Sequence, residues 1–177
     1  MKEKNYFITE HSYALTSNYN EYGERQCIVQ CREGEFHINQ SDLQVLNQSL
    51  ALNGLTMKAA RECSKVILKK RSMLPLDLNP HLRWIWFSLF SVRADYNYWF
   101  SLDGIFDFDA ASMNETIVEL VNGKQIKVPI AKSAFNQKYM NAIKYKQLKE
   151  VRQKRMKTES QFYIVNQVAE DRVPYIV

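Results

Sequence analysis

Apolar positions follow a two-residue period over the first forty residues and a helical period soon afterwards. Tyr6-Phe-Ile-Thr, Tyr13-Ala-Leu-Thr, Gln26-Cys-Ile-Val-Gln-Cys and Glu35-Phe-His-Ile are short β-branched or aromatic runs. Turn residues in Asn20-Glu-Tyr-Gly and Arg32-Glu-Gly separate them, which predicts an antiparallel hairpin or meander. Ser41 then opens a capping box with Gln44, and Leu43, Leu46 and Leu50 recur at helical spacing until Asn53-Gly54 ends the run. In a second helix Ala59, Ala60, Cys63, Val66 and Ile67 share one face, while Lys58, Arg61, Lys65 and Lys69 share another. Pro75 and Pro80 flank a connector to two continuous apolar runs, Trp84-Ile-Trp-Phe-Ser-Leu-Phe and Tyr98-Trp-Phe-Ser-Leu, suited to buried strands. Thr116-Ile-Val-Glu-Leu-Val and Lys124-Gln-Ile-Lys-Val-Pro-Ile flank Asn122-Gly123, the signal of a hairpin closed by a type I′ turn. Pro129 ends that strand, and Ser133 is placed to cap a last helix with Phe135, Tyr139, Ala142 and Ile143 on its packing face. Beyond Lys144 charge covers almost the whole circumference, so the final turns are expected to project from the body.

These elements predict a single α+β domain, mainly antiparallel sheet with about three helices, the last long and basic. Residues 1–157 are assigned to the domain and 158–177 to a C-terminal tail. A chain of 177 residues with 46% hydrophobic content can bury one substantial core. No stretch reaches the roughly 20 apolar residues of a membrane span, and the polar start lacks the apolar run of a signal peptide. No membrane association and a cytoplasmic location are therefore expected. Cys27, Cys31 and Cys63 are odd in number and fit no disulfide framework, so free thiols are expected.

Charge changes the picture most. Lys132 to Lys157 holds nine basic residues and one acid, Glu150, and Lys58 to Arg71 holds six basic residues and one acid, Glu62. Together the two windows carry +13, from 15 basic and 2 acidic residues, and the rest of the chain −8, from 9 basic and 17 acidic ones. Such concentration points to a polyanionic partner, and nucleic acid is the commonest, because neutralised phosphates release condensed counterions. The candidate contacts are Lys58, Arg61, Lys65, Lys69, Lys70 and Arg71 in one patch and Lys144, Lys146, Lys149, Arg152, Lys154 and Arg155 in the other. Solvated helix faces, or docking of a non-catalytic interaction protein on an acidic partner, are the competing readings.

Other chemistries have weaker signals. Trp84, Trp86, Trp99, Tyr96 and Tyr98 would serve as a stacking platform for single-stranded nucleic acid, but strand-like apolar runs read more simply as core. Cys27 and Cys31, completed by His11, His37 or Cys63, would make a zinc site, although the spacing is not C-x₂-C. Asp103, Asp107 and Asp109 would suit a carboxylate-metal nuclease, yet Asp103-Gly104 reads as a turn. With no nucleophile, P-loop or Gly-rich motif beside them, neither catalysis nor a cofactor or metal is expected. The apolar tail segments Phe162-Tyr-Ile-Val and Val173-Pro-Tyr-Ile-Val must pack on the domain or meet a partner.

The order Asn122-Gly123-Lys124, then Val128-Pro129-Ile130 with Ser133, Phe135 and Gln137 ahead of the basic helix, resembles the ComK family of competence transcription factors. Leu55 to Arg71 is similar to that family's basic segment after a helix ending in Gly, and Trp99 stands at a matching distance from the aromatic run around Phe87. The likeness spans roughly Tyr13 to Val151, with Ser88 where the family usually has Pro and Asn97 where a Cys commonly precedes the Trp. It implies a sequence-specific DNA-binding activator of DNA-uptake genes, recognising paired A/T-rich boxes of double-stranded DNA mainly through the minor groove, as cooperating dimers. The tail Gln161-Phe-Tyr-Ile-Val-Asn is similar to the segment by which family members reach the MecA adaptor and ClpCP protease, which nominates Phe162, Tyr163, Ile164 and Val165.

Overall fold

A computed structural model describes the backbone of residues 5–170 and the side chains of residues 5–158. Strands β1 (Ser12–Tyr19), β2 (Arg25–Cys31) and β3 (Gly34–Ile38) form the meander read from the first forty residues. Two helices follow, α1 (Asp42–Leu52) and α2 (Met57–Leu68), then the short strands β4 (Leu76–Asp77), β5 (Ile85–Ser88) and β6 (Tyr98–Ser101). A single 3-10 turn, Leu102–Gly104, leads into β7 (Ile105–Ser112), β8 (Glu115–Leu120) and β9 (Gln125–Val128), and α3 (Lys132–Glu170) completes the order. All pairings are antiparallel, in a six-stranded sheet β3-β2-β1-β6-β5-β4 and a three-stranded sheet β7-β8-β9. The single α+β domain with three helices matches the expectation.

Continuous apolar runs arise because the large sheet is covered on both faces. Leu15, Val29, Trp86 and Trp99 pack toward Val45, Leu46 and Leu50 of α1. Ala14, Ile85, Phe87 and Phe100 point the other way, toward Phe135, Ala142 and Tyr145 of α3 and Val118, Leu120 and Val128 of the small sheet. Phe135, fully buried, is the joint of that second core: its ring centroid lies 5.8 Å from Phe87, 5.6 Å from Phe100 and 4.8 Å from Phe108. Burial of such a ring contributes about 2 to 3 kcal/mol, enough to fix where α3 begins on both sheets.

Ser41 caps α1 as expected, its hydroxyl accepting the Gln44 N–H while the Gln44 side chain returns to Ser41. Other local readings are corrected. Tyr6 to Thr9 forms no strand, because side chains take its amides: Tyr6 N–H donates to Gln40 at 2.8 Å and Ile8 N–H to Ser49 at 2.9 Å. The turn at Asn122-Gly123 is not type I′, since Gly123 has φ +81° but Asn122 is not left-handed. Instead Leu120 N–H donates to the Lys124 carbonyl and Gly123 N–H to the Leu120 carbonyl, a three-residue loop with glycine in the left-handed position. Asn20 to Glu24 repeats this pattern, with Gly23 at φ +75°.

Ser133 lies inside the first turn of α3 rather than capping it, as Phe135 N–H already donates to the Ala131 carbonyl. In α2 the buried positions are Ala60, Ser64, Ile67 and Leu68, with Ala59 and Val66 turned to solvent, because the helix crosses from one core to the other instead of lying along either. Nor does α3 leave the body at Lys144. Tyr145 is fully buried, and the helix stays in contact through Lys149, Glu150 and Gln153, after which the described side chains are exposed. Its backbone continues through 157–158 to Glu170. No helix among the described residues is long and apolar enough to cross a membrane.

Candidate nucleic-acid interface

The basic windows are brought together by the packing of α2 against α3. Thr56 starts α2, its hydroxyl accepting the Ala59 N–H at 3.2 Å, and Lys69, left-handed at φ 53°, ends it. Tyr145 of α3 points its hydroxyl at the Cys63 sulfur, 3.6 Å away, and burial holds that phenol well above the usual tyrosine range. One turn earlier on α3, Asn141 accepts a hydrogen bond from the Lys70 ammonium at 2.7 Å and approaches the Met73 sulfur. The segment after α2 is thereby tied to α3 on both sides of Arg71.

The twelve candidate side chains divide into committed and free cations. Lys149 pairs with Asp77, which is 2% exposed, and lies 5.8 Å from the Tyr145 ring centroid. Lys146 reaches Asp103 at 2.7 Å, Lys65 reaches Glu62 at 2.5 Å, and Lys70 is held by Asn141. Bonding to Lys65 lowers the Glu62 carboxyl, so that acid stays ionised on the basic face of α2. Lys58, Arg61, Lys69 and Arg71 around α2, and Lys144, Arg152, Lys154 and Arg155 on α3, make no side-chain hydrogen bond or ion pair among the described residues.

Several of the basic residues share recesses of the surface. Arg61, Arg71 and Lys138 line a cleft of about 320 Å³ between α2, the segment after it, the β5–β6 connection and α3. An adjoining recess adds Lys58, Arg93 and the acid Glu62, and shares Arg61 with the first. Lys70 and Lys144 border a groove along the outer side of α3. Arg152, Lys154 and Arg155 lie farther along the same helix, on exposed positions. The cleft and the recess are therefore continuous through Arg61, and the α3 groove begins at Lys70, the neighbour of Arg71 in sequence. Sequence reasoning missed Lys138 and Arg93. Lys138 stands inside the basic window, but on turns read as packing, and Arg93 is isolated in sequence and reaches the surface only through the β5–β6 connection. Removal of water from half-buried Lys138 holds its ammonium below the usual lysine range.

The competing chemistries lose their geometry. Of the five aromatics read as a stacking platform, Trp86 and Trp99 are 1% and 0% exposed, with the Trp99 indole N–H donating to buried Asp42 at 3.0 Å, so neither ring can stack on a base; Trp84 and Tyr98 are part-buried and Tyr96 is exposed. Cys27 and Cys31 belong to one core cluster and Cys63 borders the other, and burial pushes the Cys27 thiol up to about 12. Asp103 pairs with Lys146 and Asp109 with Lys132, while Asp107 accepts from the Phe108 N–H. No three His, Cys, Asp or Glu side chains among the described residues are grouped to hold a metal ion. Phe162, Tyr163, Ile164 and Val165 have side chains outside the described residues.

No curated protein and no solved structure matches the chain. The sequence profile of one family, described as ComK protein, matches residues 3–155. That match takes in both sheets, α1, α2 and α3 as far as the exposed basic turns, and with them all of these basic residues: the chain belongs to the ComK family of competence-related transcription factors.

Proposed function

We propose that this protein is a sequence-specific activator that binds A/T-rich boxes of double-stranded DNA, largely through the minor groove, and turns on DNA-uptake genes in the cytoplasm. The observation that supports the reading is the excess of cations over acids in the recesses between α2 and α3, where Lys58, Arg61, Arg71, Arg93 and Lys138 face the single acid Glu62, with Lys144, Arg152, Lys154 and Arg155 farther along α3. Minor grooves of A/T tracts are narrow and strongly negative, so inserted Arg or Lys gains energy that depends on groove width more than on a unique base code. Lys146 and Lys149 contribute by holding α3 in place, since their charges are already matched.

Dimerisation on paired boxes is part of the proposal, with residues 1–157 carrying the DNA contacts and 158–177 serving as interface or as the MecA/ClpCP handle through Phe162, Tyr163, Ile164 and Val165. Affinity for duplex from upstream of the coding region is expected to fall by orders of magnitude between about 50 and 200 mM salt if about eight phosphates are neutralised. Replacing A·T by I·C pairs, which keep the minor-groove pattern but change the major groove, is expected to preserve binding, and G·C pairs to weaken it. Arg61→Glu with Arg71→Glu should weaken binding strongly and lower the slope of log K against log salt by about two or more. Affinity indifferent to salt and to both substitutions would reject the reading, and binding of acidic protein in place of duplex would favour docking on an acidic partner.

A further inference from the structure

The cleft between α2 and α3 is built differently from the other basic regions. Where other cations approach the body they are matched: Lys149 by Asp77, Lys146 by Asp103, Arg83 by Glu150 at 2.8 Å and Lys70 by Asn141. In the cleft Arg61, Arg71 and Lys138 converge with no Asp or Glu among the lining residues, and with Ser72 and Ser91 beside them. The Ser91 oxygen accepts the Arg93 N–H at 3.3 Å, which leaves its proton free to donate. Lys138 and Arg61 are partly buried there while Arg71 is exposed at the rim, so an anion entering the cleft would restore to Lys138 the charge partner that burial takes from it.

The arrangement is also held in advance. Arg71 lies between Lys69 and Met73, both left-handed at φ 53° and 52°, and Lys70 and Met73 contact the same buried Asn141. Asn141 sits three residues after Lys138 on α3, so one helical turn sets the spacing between the arginine segment and the lysine. Half-burial without a carboxylate partner keeps the Lys138 ammonium below the usual lysine range, a cost that solvation at the surface would have avoided.

We propose that this cleft binds one phosphate group, held jointly by Arg61, Arg71 and Lys138 with Ser72 and Ser91 donating hydroxyl hydrogen bonds. In the DNA complex that group is a backbone phosphodiester, a source that rests on the function proposed above; the affinity for phosphate itself does not. The cleft then fixes the register of the protein on the duplex, whereas the exposed lysines supply attraction without position.

The full chain tests this. Inorganic phosphate, against chloride at matched ionic strength, is expected to raise the Tm of the parent protein and of Lys127→Met, a lysine on β9 that pairs with Glu115 and does not line the cleft. Lys138→Met and Arg71→Gln should lose that rise, and Lys138→Arg should keep it. For A/T-rich duplex, each of the first two variants should bind roughly tenfold more weakly, with the slope of log K against log salt reduced by about one. Circular dichroism establishes that each variant is folded. If Lys138→Met and Arg71→Gln keep both the parental phosphate response and the parental duplex slope, the cleft proposal is overturned while duplex binding stands. A phosphate response that needs Lys138 in a protein with no duplex affinity would instead uphold the cleft, assign it to free phosphate and overturn the DNA reading.

Discussion

Lys149 carries its charge inward, and that single side chain shows why counting lysines misleads. Its partner Asp77 is 2% exposed and 72 residues away in sequence. Removing one member of a buried pair strands the other without water or counter-charge, at a cost of about 3 to 5 kcal/mol. Lys149→Met is therefore expected to lower stability by about 3 kcal/mol or more in urea unfolding, and Lys149→Met with Asp77→Leu to recover much of the loss. Equal stability of the single variant and the parent would show that Lys149 is free for DNA after all. Such commitments were illegible in the sequence. Lys144 and Lys149 look alike along the chain, and only the fold brings Asp77 to one of them. Conversely, Lys138 gave no sign that it opens on a cleft, because its neighbours Phe135, Tyr139 and Ala142 mark those turns as packing.

At the level of elements, legibility followed the locality of the signal. The Ser41 capping box and the apolar alternation of β1 and β2 depend on neighbours in sequence and were read correctly. By contrast β7 was not recognised, because a register shift between Ile105 and Asp107 breaks its alternation, leaving Phe106 72% exposed while Phe108 meets Phe135. The contact that seats the start of β7 is equally non-local. Gly104 ends the 3-10 turn so close to β1 that an added Cβ would lie 2.9 Å from both Cα and Cβ of Tyr13. Backbone cannot yield as a flexible side chain does, so Gly104→Ala should destabilise by about 1 to 3 kcal/mol, visible as a lowered urea midpoint. An unchanged midpoint would mean that the turn and β1 separate easily, and that the two sheets are less firmly joined than their shared core implies.

Seen as a whole, the molecule presents one long helix that is clamped from its start to Gln153 and whose next described side chains, through Thr158, are exposed. Clamping runs from Phe135 to the Glu150–Arg83 pair at 2.8 Å. From Lys138 to Arg155 the helix advances about 26 Å at 1.5 Å per residue, comparable to roughly seven or eight base pairs of duplex. Because the span is helical, it works as a protractor as well as a gauge. One alanine inserted between Gln153 and Lys154 would swing every later side chain through about 100°, and should shorten the hydroxyl-radical footprint without altering the melting of the body. Seven inserted residues come back within about 20° of the original azimuth, so the distal protection should return, displaced outward by about 10 Å. A pliable connector would be indifferent to azimuth; a stiff shaft cannot be.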